Sequence, residues 1–492
     1  MRAPRTKRGP RSTLPTVSAR LLSHVTLETR ANGKIAACFG GYSVGLGTFG
    51  AGAAEAAQTL RTGLSLSSLA SGRRTIDKDV DSLVRRLARH GLLEYCLQRE
   101  PDREEQVVIE PQMSDYWPRS QPLADTDRLA LSRFAYMRRR GGDMVLESPR
   151  AGALFRICDP KVAAVLATLS TPQQIKALRQ RDDVPDDRLT LELLALLVDC
   201  HILFKIDRAE DEGLRPDEGD DNLVLWDFHD LLFHARATQG RHANPLGGVL
   251  PYAGLLSPRP AVRPAWPGPR IDLAEFSNAD PTSPVAKLLR ERHSTRGFDG
   301  QKPITLAELA RCLDGTARVL SRWDDRIDLG EGGPVVEYAK RPYPSAGASY
   351  ALELYLAVHA CDGLARGFYH YDAGAHALAA IHVEAPQLDT LLAGAEFAMD
   401  APGPPQVLIT IAARFGRMSW KYSSIAYALV LKDVGVLTQT LYLMATDMGL
   451  GGCAIGSVDI DLFATMTGIE FHIEGAVGQF ALGRPATPVL PD

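Results

Sequence analysis

The residues able to do chemistry fall in a few short clusters of the C-terminal half. Arg292-His293-Ser294-Thr295-Arg296 places two guanidiniums, each two positions from a hydroxyl, at the end of a helix predicted over Pro284–His293. Such a pattern can clamp a phosphate and the hydroxyl oxygens beside it through bidentate, charge-assisted bonds. Arginines also gather at helix C-termini simply because the macrodipole favours them there. Pro342-Tyr343-Pro344-Ser345-Ala346-Gly347-Ala348 is a rigid turn of prolines and small residues, whose backbone, with Ser345 and Gly347, can approach a flat ligand closely. Met448-Gly449-Leu450-Gly451-Gly452-Cys453-Ala454-Ile455-Gly456 ends a predicted long helix. Gly449 suits a C-cap, but Gly451, Gly452 and Gly456 exceed what one cap needs. Gly483-Arg484-Pro485 adds a cation after a predicted final strand, and Ser419-Trp420-Lys421-Tyr422-Ser423 sets a Lys-Tyr pair before the long helix. Taken alone, that pair reads as an exposed dipeptide at a helix start.

No metal site is expected. His229 and His234, five apart, point to different faces of a helix, and neither they nor His370 and His376 have a carboxylate or cysteine motif to complete a ligand set.

These residues need elements to hold them. Thr305–Leu313 is predicted as a helix with Thr305 as cap and Glu308 three positions on, the capping-box spacing. Leu352–His359 alternates like a strand and Gly367–Tyr371 like a shorter one; Gln406–Ala413 reads as a buried strand, Ala426–Met448 as a long helix and Gly475–Leu482 as a terminal strand. Further upstream the sequence repeats itself. Leu83–Cys96 and Leu193–Ile206 share a helical apolar pattern running through a turn into a strand-like tail, and each follows a pair of short helices, Ala53–Leu60 with Ser65–Leu69 and Lys161–Leu169 with Pro172–Leu178. Two short helices, a longer one and a β-wing resemble a winged helix-turn-helix. An operator reader needs cations on its recognition helix. Asp77–His90 offers Arg85, Arg86 and Arg89, whereas Leu191–Asp199 offers none, so the pair is expected to bind peptide or to pack.

The chain of 492 residues carries 55 Lys+Arg against 59 Asp+Glu, a net charge of −4, which gives no general drive toward nucleic acid or anionic membranes. Apolar runs such as Val407–Ala413 are far shorter than the roughly 20 residues that span a bilayer. Met1–Arg20 is basic with no apolar core and is expected to be an arm rather than a secretory signal. The seven scattered cysteines fit buried thiols in a reducing cytoplasm. The expected organisation is a disordered basic arm (1–29), a winged-helix-like module (30–105), a second such module acting as a peptide clamp (106–210), an acidic linker, leading helix and Pro-rich strap (211–285) and an α+β domain (286–492).

The C-terminal clusters, in this order, resemble the nitroreductase-like flavoprotein superfamily. Within it they are most similar to the SagB/McbC-type azoline dehydrogenases of ribosomal peptide biosynthesis. Leu352-Glu353-Leu354-Tyr355 and Gly367-Phe368-Tyr369-His370-Tyr371 resemble that branch's core strands, Tyr427 through Gly452 its central helix, and Trp226–His234 its leading helix. The tandem modules resemble the peptide-clamp region of cyanobactin-type oxidases. The resemblance implies an FMN enzyme with Arg292, Ser294, Arg296 and Arg484 at the phosphate, Ser345 and Gly347 in the turn near the flavin, and Gln439, Gly451 and Gly452 also at the cofactor, the two glycines in a loop over the ring. It implies an intertwined homodimer; the shape of the tandem modules suggests that they hold the peptide or dock a cyclodehydratase. Ala348 stands where many relatives have a second glycine, and the turn is expected to survive the change. The resemblance also gives the Lys421-Tyr422 pair its role. An azoline ring has an acidic Cα–H, and aromatisation removes that proton together with a hydride from Cβ. A lysine can act as base near neutral pH if burial lowers its pKa, and the adjacent tyrosine can bond it or relay the proton. The expected activity is therefore oxidation of thiazolines or oxazolines in a precursor peptide, with oxygen regenerating the flavin. The rivals are an NAD(P)H-dependent nitro- or quinone reductase and a non-catalytic peptide- or DNA-binding scaffold.

Overall fold

A computed structural model describes residues 17–486 apart from 31, 40–41, 71–74, 100–103, 114, 182–186, 207–216, 239–247, 249, 251, 278–282 and 329–331. The chain divides into two compact units, Met1–Val224 with Leu231–Arg236 and Gly240–Ala243, and Leu225–Asp230 with Ala237–Gln239 and Asn244–Asp492.

The first unit contains the repeat. Helix Ala51–Thr59, strand Leu64–Ser65 and helices Leu66–Ala70 and Thr75–Arg89 lead into strand Leu93–Arg99. Helix Pro160–Thr168, strand Gln173–Gln174 and helices Ile175–Arg179 and Asp187–Asp199 lead likewise into Leu203–Ile206. In each copy the short strand and the last strand flank a third, Val17–Leu21 in one and Arg128–Leu131 in the other, all antiparallel. The cause is the shared apolar spacing: Leu83, Leu87 and Leu93 are buried, as are Leu193, Leu197 and Leu203.

Two boundaries differ from expectation. Residues 17–29 are not part of a free arm, because Val17, Ala19 and Leu21 are buried in a strand and Thr26–Thr29 forms another; residues 1–16 lie outside the described residues. Nor does a domain border fall at 105/106. Strand Glu104–Pro111, with Val107, Val108 and Ile109 all buried, pairs with Leu93–Arg99 on one side and Ala153–Ile157 on the other. One seven-stranded sheet thus crosses the expected 105/106 border, and one apolar cluster, from Val17 to Leu203, runs through both repeats. Most of the expected acidic linker, residues 207–216, lies outside the described residues. The strap is as the prolines require: from Tyr252 to Ser277 its only regular element is the 3-10 turn Ala274–Phe276.

The second unit is α+β, built on a six-stranded antiparallel sheet. Its order is Ala377–Ile381, Gly367–Asp372, Leu352–Val358, Val407–Arg414, Glu474–Gly483, Gly451–Ile455. Helix Ala426–Asp447 buries Tyr427, Val430, Leu437, Leu441 and Ala445 and is the core helix of this unit. Its 22 residues are long and apolar enough, by length and composition, to cross a membrane, which no run judged from the sequence was. Helix Leu306–Ala317 starts at the expected capping box of Thr305 and Glu308. The hairpin Ser321–Arg326/Val335–Lys340 carries no core-facing apolar row on its first strand, all six residues of which are exposed.

Candidate functional site

The first cluster forms where helix Pro284–Glu291 ends. Ser283 caps that helix, Pro284 opens it, and Arg292 closes it by donating its N–H to the carbonyl of Leu288. The chain beyond is stitched to the sheet. Thr295 donates its N–H to the carbonyl of Gly452 (2.8 Å), Asp299 donates to that of Arg484 (2.9 Å), and Ala486 donates to that of Gly297 (3.0 Å). The Arg292–Arg296, Gly451–Gly452 and Arg484 motifs, far apart in sequence, therefore meet. The guanidinium of Arg292 lies 5.1 Å from the ring centre of Tyr442 on the central helix, a cation–π arrangement. The Tyr442 hydroxyl accepts the N–H of Ala454 (2.8 Å) and shares a hydrogen bond with Ser294 Oγ (2.8 Å). Among the described residues, Arg292 and Arg296 have no carboxylate partner.

Two expectations change here. Gly451 and Gly452 are not a loop but the start of an edge strand, paired with Gly483 and Leu482. Their lack of side chains serves packing: a β-carbon on Gly451 would sit 2.6 Å from Thr295 Cγ2, and one on Gly452 would run into the Phe480 ring. Arg484 is also not a free cation, since its Nη2 lies 2.8 Å from each carboxylate oxygen of Glu308. The Thr305 N–H and this guanidinium together hold the Glu308 carboxyl below its usual range.

The second cluster surrounds the proline-rich turn. Ser345 donates its hydroxyl to Asp433 Oδ2 (2.6 Å), the N–H of Ala346 donates to Asp433 Oδ1 (3.1 Å), and the N–H of Tyr350 donates to Ser345 Oγ (2.9 Å). Asp433 is a buried carboxylate on the central helix, and burial pushes its pKa up against these two donors. The turn survives Ala348, at a cost in backbone geometry: Gly347, Ala348 and Tyr350 have φ of 53°, 54° and 44°, a region that disfavours side chains.

Lys421 and Tyr422 lie against this turn. The short helix Phe415–Ser419 ends just before them, with both of their N–H groups donating to the carbonyl of Met418. Lys421 Nζ donates to the carbonyl of Gly347 (3.1 Å) and stands 5.5 Å from the ring centre of Tyr338, itself stacked on Trp323 across the hairpin. A β-carbon on Gly347 would fall 2.6 Å from Lys421 Nζ and would meet the Tyr422 hydroxyl. The segment after the pair is anchored by the start of helix Phe228–Arg236, where Asp227, just before it, accepts the N–H of Ser424 (2.6 Å) and Asp230, in its first turn, accepts that of Tyr427 (3.1 Å). Lys421 is exposed rather than buried in this chain.

The site residues expected from the sequence thus fall into two groups, Arg292, Ser294, Arg296, Gly451, Gly452 and Arg484 in one, and Ser345, Gly347, Lys421 and Tyr422 in the other. The central helix joins them through Tyr442 and Asp433, nine residues or about 14 Å apart along its axis. Gln439, on the same helix, is exposed, and its side chain makes no hydrogen bond among the described residues. Sequence reasoning missed Asp433, Tyr442, Tyr338 and Glu308 as supporting residues. Asp433 alone left a signal, a carboxylate three residues from Val430 on an otherwise apolar helical stripe.

Residues 289–484 match the family model described as the nitroreductase family, and residues 129–243 match that of the cyanobactin oxidase ThcOx. A protein of Methanocaldococcus jannaschii named as a nitroreductase, MJ1384, is 30% identical over 170 residues, covering 35% of this chain and 77% of its own. Among solved structures, the E. coli microcin synthetase McbBCD complex with truncated pro-MccB17 bound is 16% identical. It covers 56% of this chain and 99% of that one, with a TM-score of 0.39. A nitroreductase from Bacteroides fragilis with bound FMN is 14% identical, covering 43% and 93%, with a TM-score of 0.26. The chain belongs to the nitroreductase family of oxidoreductases and carries ahead of that domain a region matching the cyanobactin oxidase model.

Proposed function

We propose that the protein is an FMN-dependent dehydrogenase that oxidises thiazoline or oxazoline rings of a ribosomally made precursor peptide to thiazoles or oxazoles. The observation that carries this reading is the meeting of Lys421 and Tyr422 with the carbonyl and bare α-carbon of Gly347. The match of residues 129–243 to the cyanobactin oxidase model supports the same substrate class.

The residues present fit the cofactor. Arg292 and Arg296, without carboxylate partners, together with Ser294, suit its phosphate, and Arg484, pinned by Glu308, adds a fixed cation. Ser345 and Gly347 offer a close-approach backbone, and Gly451, Gly452 and Gln439 are assigned to the same cofactor. When bound, FMN supplies the acceptor for a hydride leaving Cβ of the ring, and oxygen reoxidises it. The chain's own work is proton transfer and positioning. Lys421 takes the Cα proton; the Gly347 carbonyl fixes its Nζ, and the Tyr422 hydroxyl beside it relays or orients. The ring thereby loses a proton and a hydride, and its atoms and electrons balance. The two βα repeats, read as winged-helix-like modules, would clamp the peptide and dock a cyclodehydratase. A homodimer in the cytoplasm completes the reading, with the second copy covering the exposed Lys421 and Gln439.

The test is mass spectrometry of an azoline-containing peptide incubated aerobically with the FMN-loaded protein. Loss of two hydrogens per ring is expected, and Lys421→Ala should abolish it. A peptide left unchanged, while NADPH reduces a quinone, would replace this reading with a reductase.

A further inference from the structure

A cavity of the second unit, about 630 Å³, is lined by none of the residues assigned to cofactor or base. Its floor is one face of the six-stranded sheet, where the pleat turns Glu353 and Tyr355, their neighbours His370 and Asp372, and the pair Arg414 and Glu474 the same way. Its rim is formed by Arg341, Arg417 and the back of the turn, Ser349 and Tyr350.

Four acids line this cavity, the exposed Glu337 and three that are already engaged, Glu353, Asp372 and Glu474. Glu353 is ion-paired with Arg414 (3.2 Å) and faces His370 Nε2 at 3.5 Å. Glu474 accepts the Tyr355 hydroxyl (2.6 Å), and Asp372 accepts the N–H groups of Gly374 and Ala375 (both 2.9 Å). Three guanidiniums are not so matched, the exposed Arg322 on the hairpin and the less exposed Arg341 and Arg417. Arg417 donates to the backbone carbonyls of Ser349 and Glu337, and Arg341 donates to that of Leu352 (3.3 Å), leaving its buried Nε without a partner. Neither has a carboxylate in salt-bridge contact among the described residues. Desolvation, with Arg414 and Arg341 nearby, outweighs the attraction of the exposed Glu337 carboxylate and lowers the pKa of Arg417.

We propose that this cavity binds a carboxylate, held between Arg341 and Arg417, from a peptide C-terminus or an acidic side chain. A planar carboxylate matches the guanidinium fork. A phosphate dianion does not suit the site, because Glu353 and Glu474 lie on the same floor and would repel the second charge. The site is distinct from the azoline chemistry, and its test involves no turnover, so either reading can fail without the other.

The experiment is isothermal titration calorimetry on the full-length FMN-loaded protein with four probes. These are an N-acetylated alanine tripeptide with a free C-terminus, its C-terminal amide, the amide carrying one glutamate, and inorganic phosphate. The free acid, the glutamate peptide or both should bind, the tighter of them identifying the source, with the neutral amide and phosphate weaker by about tenfold or more. Arg341→Gln should erase that preference. Arg341→Lys, which keeps the charge without the fork, should lose several-fold in affinity and covers the case in which the glutamine variant does not fold. A neutral amide that binds as tightly as both carboxylate peptides, tighter binding of phosphate, or an unchanged preference in both variants would overturn the proposal.

Discussion

Gly347→Ala is the perturbation that most directly probes how the turn and the Lys-Tyr pair depend on each other. Three costs add up. An L-residue at φ 53° costs about 1–2 kcal/mol over glycine. The hydrogen bond from Lys421 to the Gly347 carbonyl, worth about 1 kcal/mol, is strained or lost as Nζ withdraws. The Tyr422 hydroxyl must also shift, and it moves only with its ring. A total of about 2–3 kcal/mol follows, which at roughly 2–4 °C per kcal/mol for a domain of this size lowers the unfolding midpoint by about 4–12 °C. Activity suffers more, because a displacement of about 1 Å at a positioned base costs on the order of a hundredfold in rate. The assay is a thermal melt alongside azoline-peptide turnover normalised to flavin content. Tyr422→Phe removes the hydroxyl that the new β-carbon meets, so in that background Gly347→Ala should cost about 1 kcal/mol less stability. Full turnover in Gly347→Ala, or an equal cost in both backgrounds, would refute the account of this site.

Other outcomes follow from the same contacts. Asp433→Leu orphans the Ala346 N–H and deprives Ser345 of its acceptor, and should cost about 2–3 kcal/mol in a denaturant melt, whereas Asp433→Asn, which keeps one acceptor and relieves a buried charge, should cost about 1. Gly452→Ala drives a methyl into the Phe480 ring and should destabilise by about 1–3 kcal/mol, with Phe480→Leu in the same chain recovering part of the loss. His370 has its pKa raised by its bond to Glu353, so its contribution to stability is complete below its unfolded value near 6.5 and is lost as pH rises through the folded one. Melts from about pH 6 to about pH 8 should show a decline of up to about 1 kcal/mol that His370→Asn abolishes.

The sequence was most readable where local rules and burial agree. The capping box at Thr305 and Glu308, the alternation of Leu352–Val358, the apolar stripe of the central helix and the repeat of Leu83–Cys96 in Leu193–Ile206 all express short-range periodicities, and each appears as an element. The hairpin Ser321–Arg326/Val335–Lys340 escaped notice because its first strand is exposed throughout and has no apolar face to alternate. Motif reading also found which segments converge, as Thr295 on Gly452 and Lys421 on Gly347 demonstrate. It could not separate a glycine kept for a ligand from one kept for a neighbour, and at Gly451 and Gly452 the neighbours are Thr295 and Phe480. Arg484 was readable as a cation, but its partner Glu308 lies 176 residues away and was already assigned to a helix cap. The seven-stranded sheet that crosses the expected 105/106 border depends on the pairing of Glu104–Pro111 with Ala153–Ile157, a long-range match that no local pattern announces.

The central claim, that Lys421 removes a proton from an azoline in a flavin enzyme, is tested most directly by the visible absorption spectrum of the purified protein under anaerobic conditions. The account predicts flavin bands that bleach on adding an azoline peptide and not on adding NADPH, with Lys421→Ala keeping the bands and losing the bleaching. Bleaching by NADPH alone, or bleaching by peptide that persists in Lys421→Ala, would contradict it.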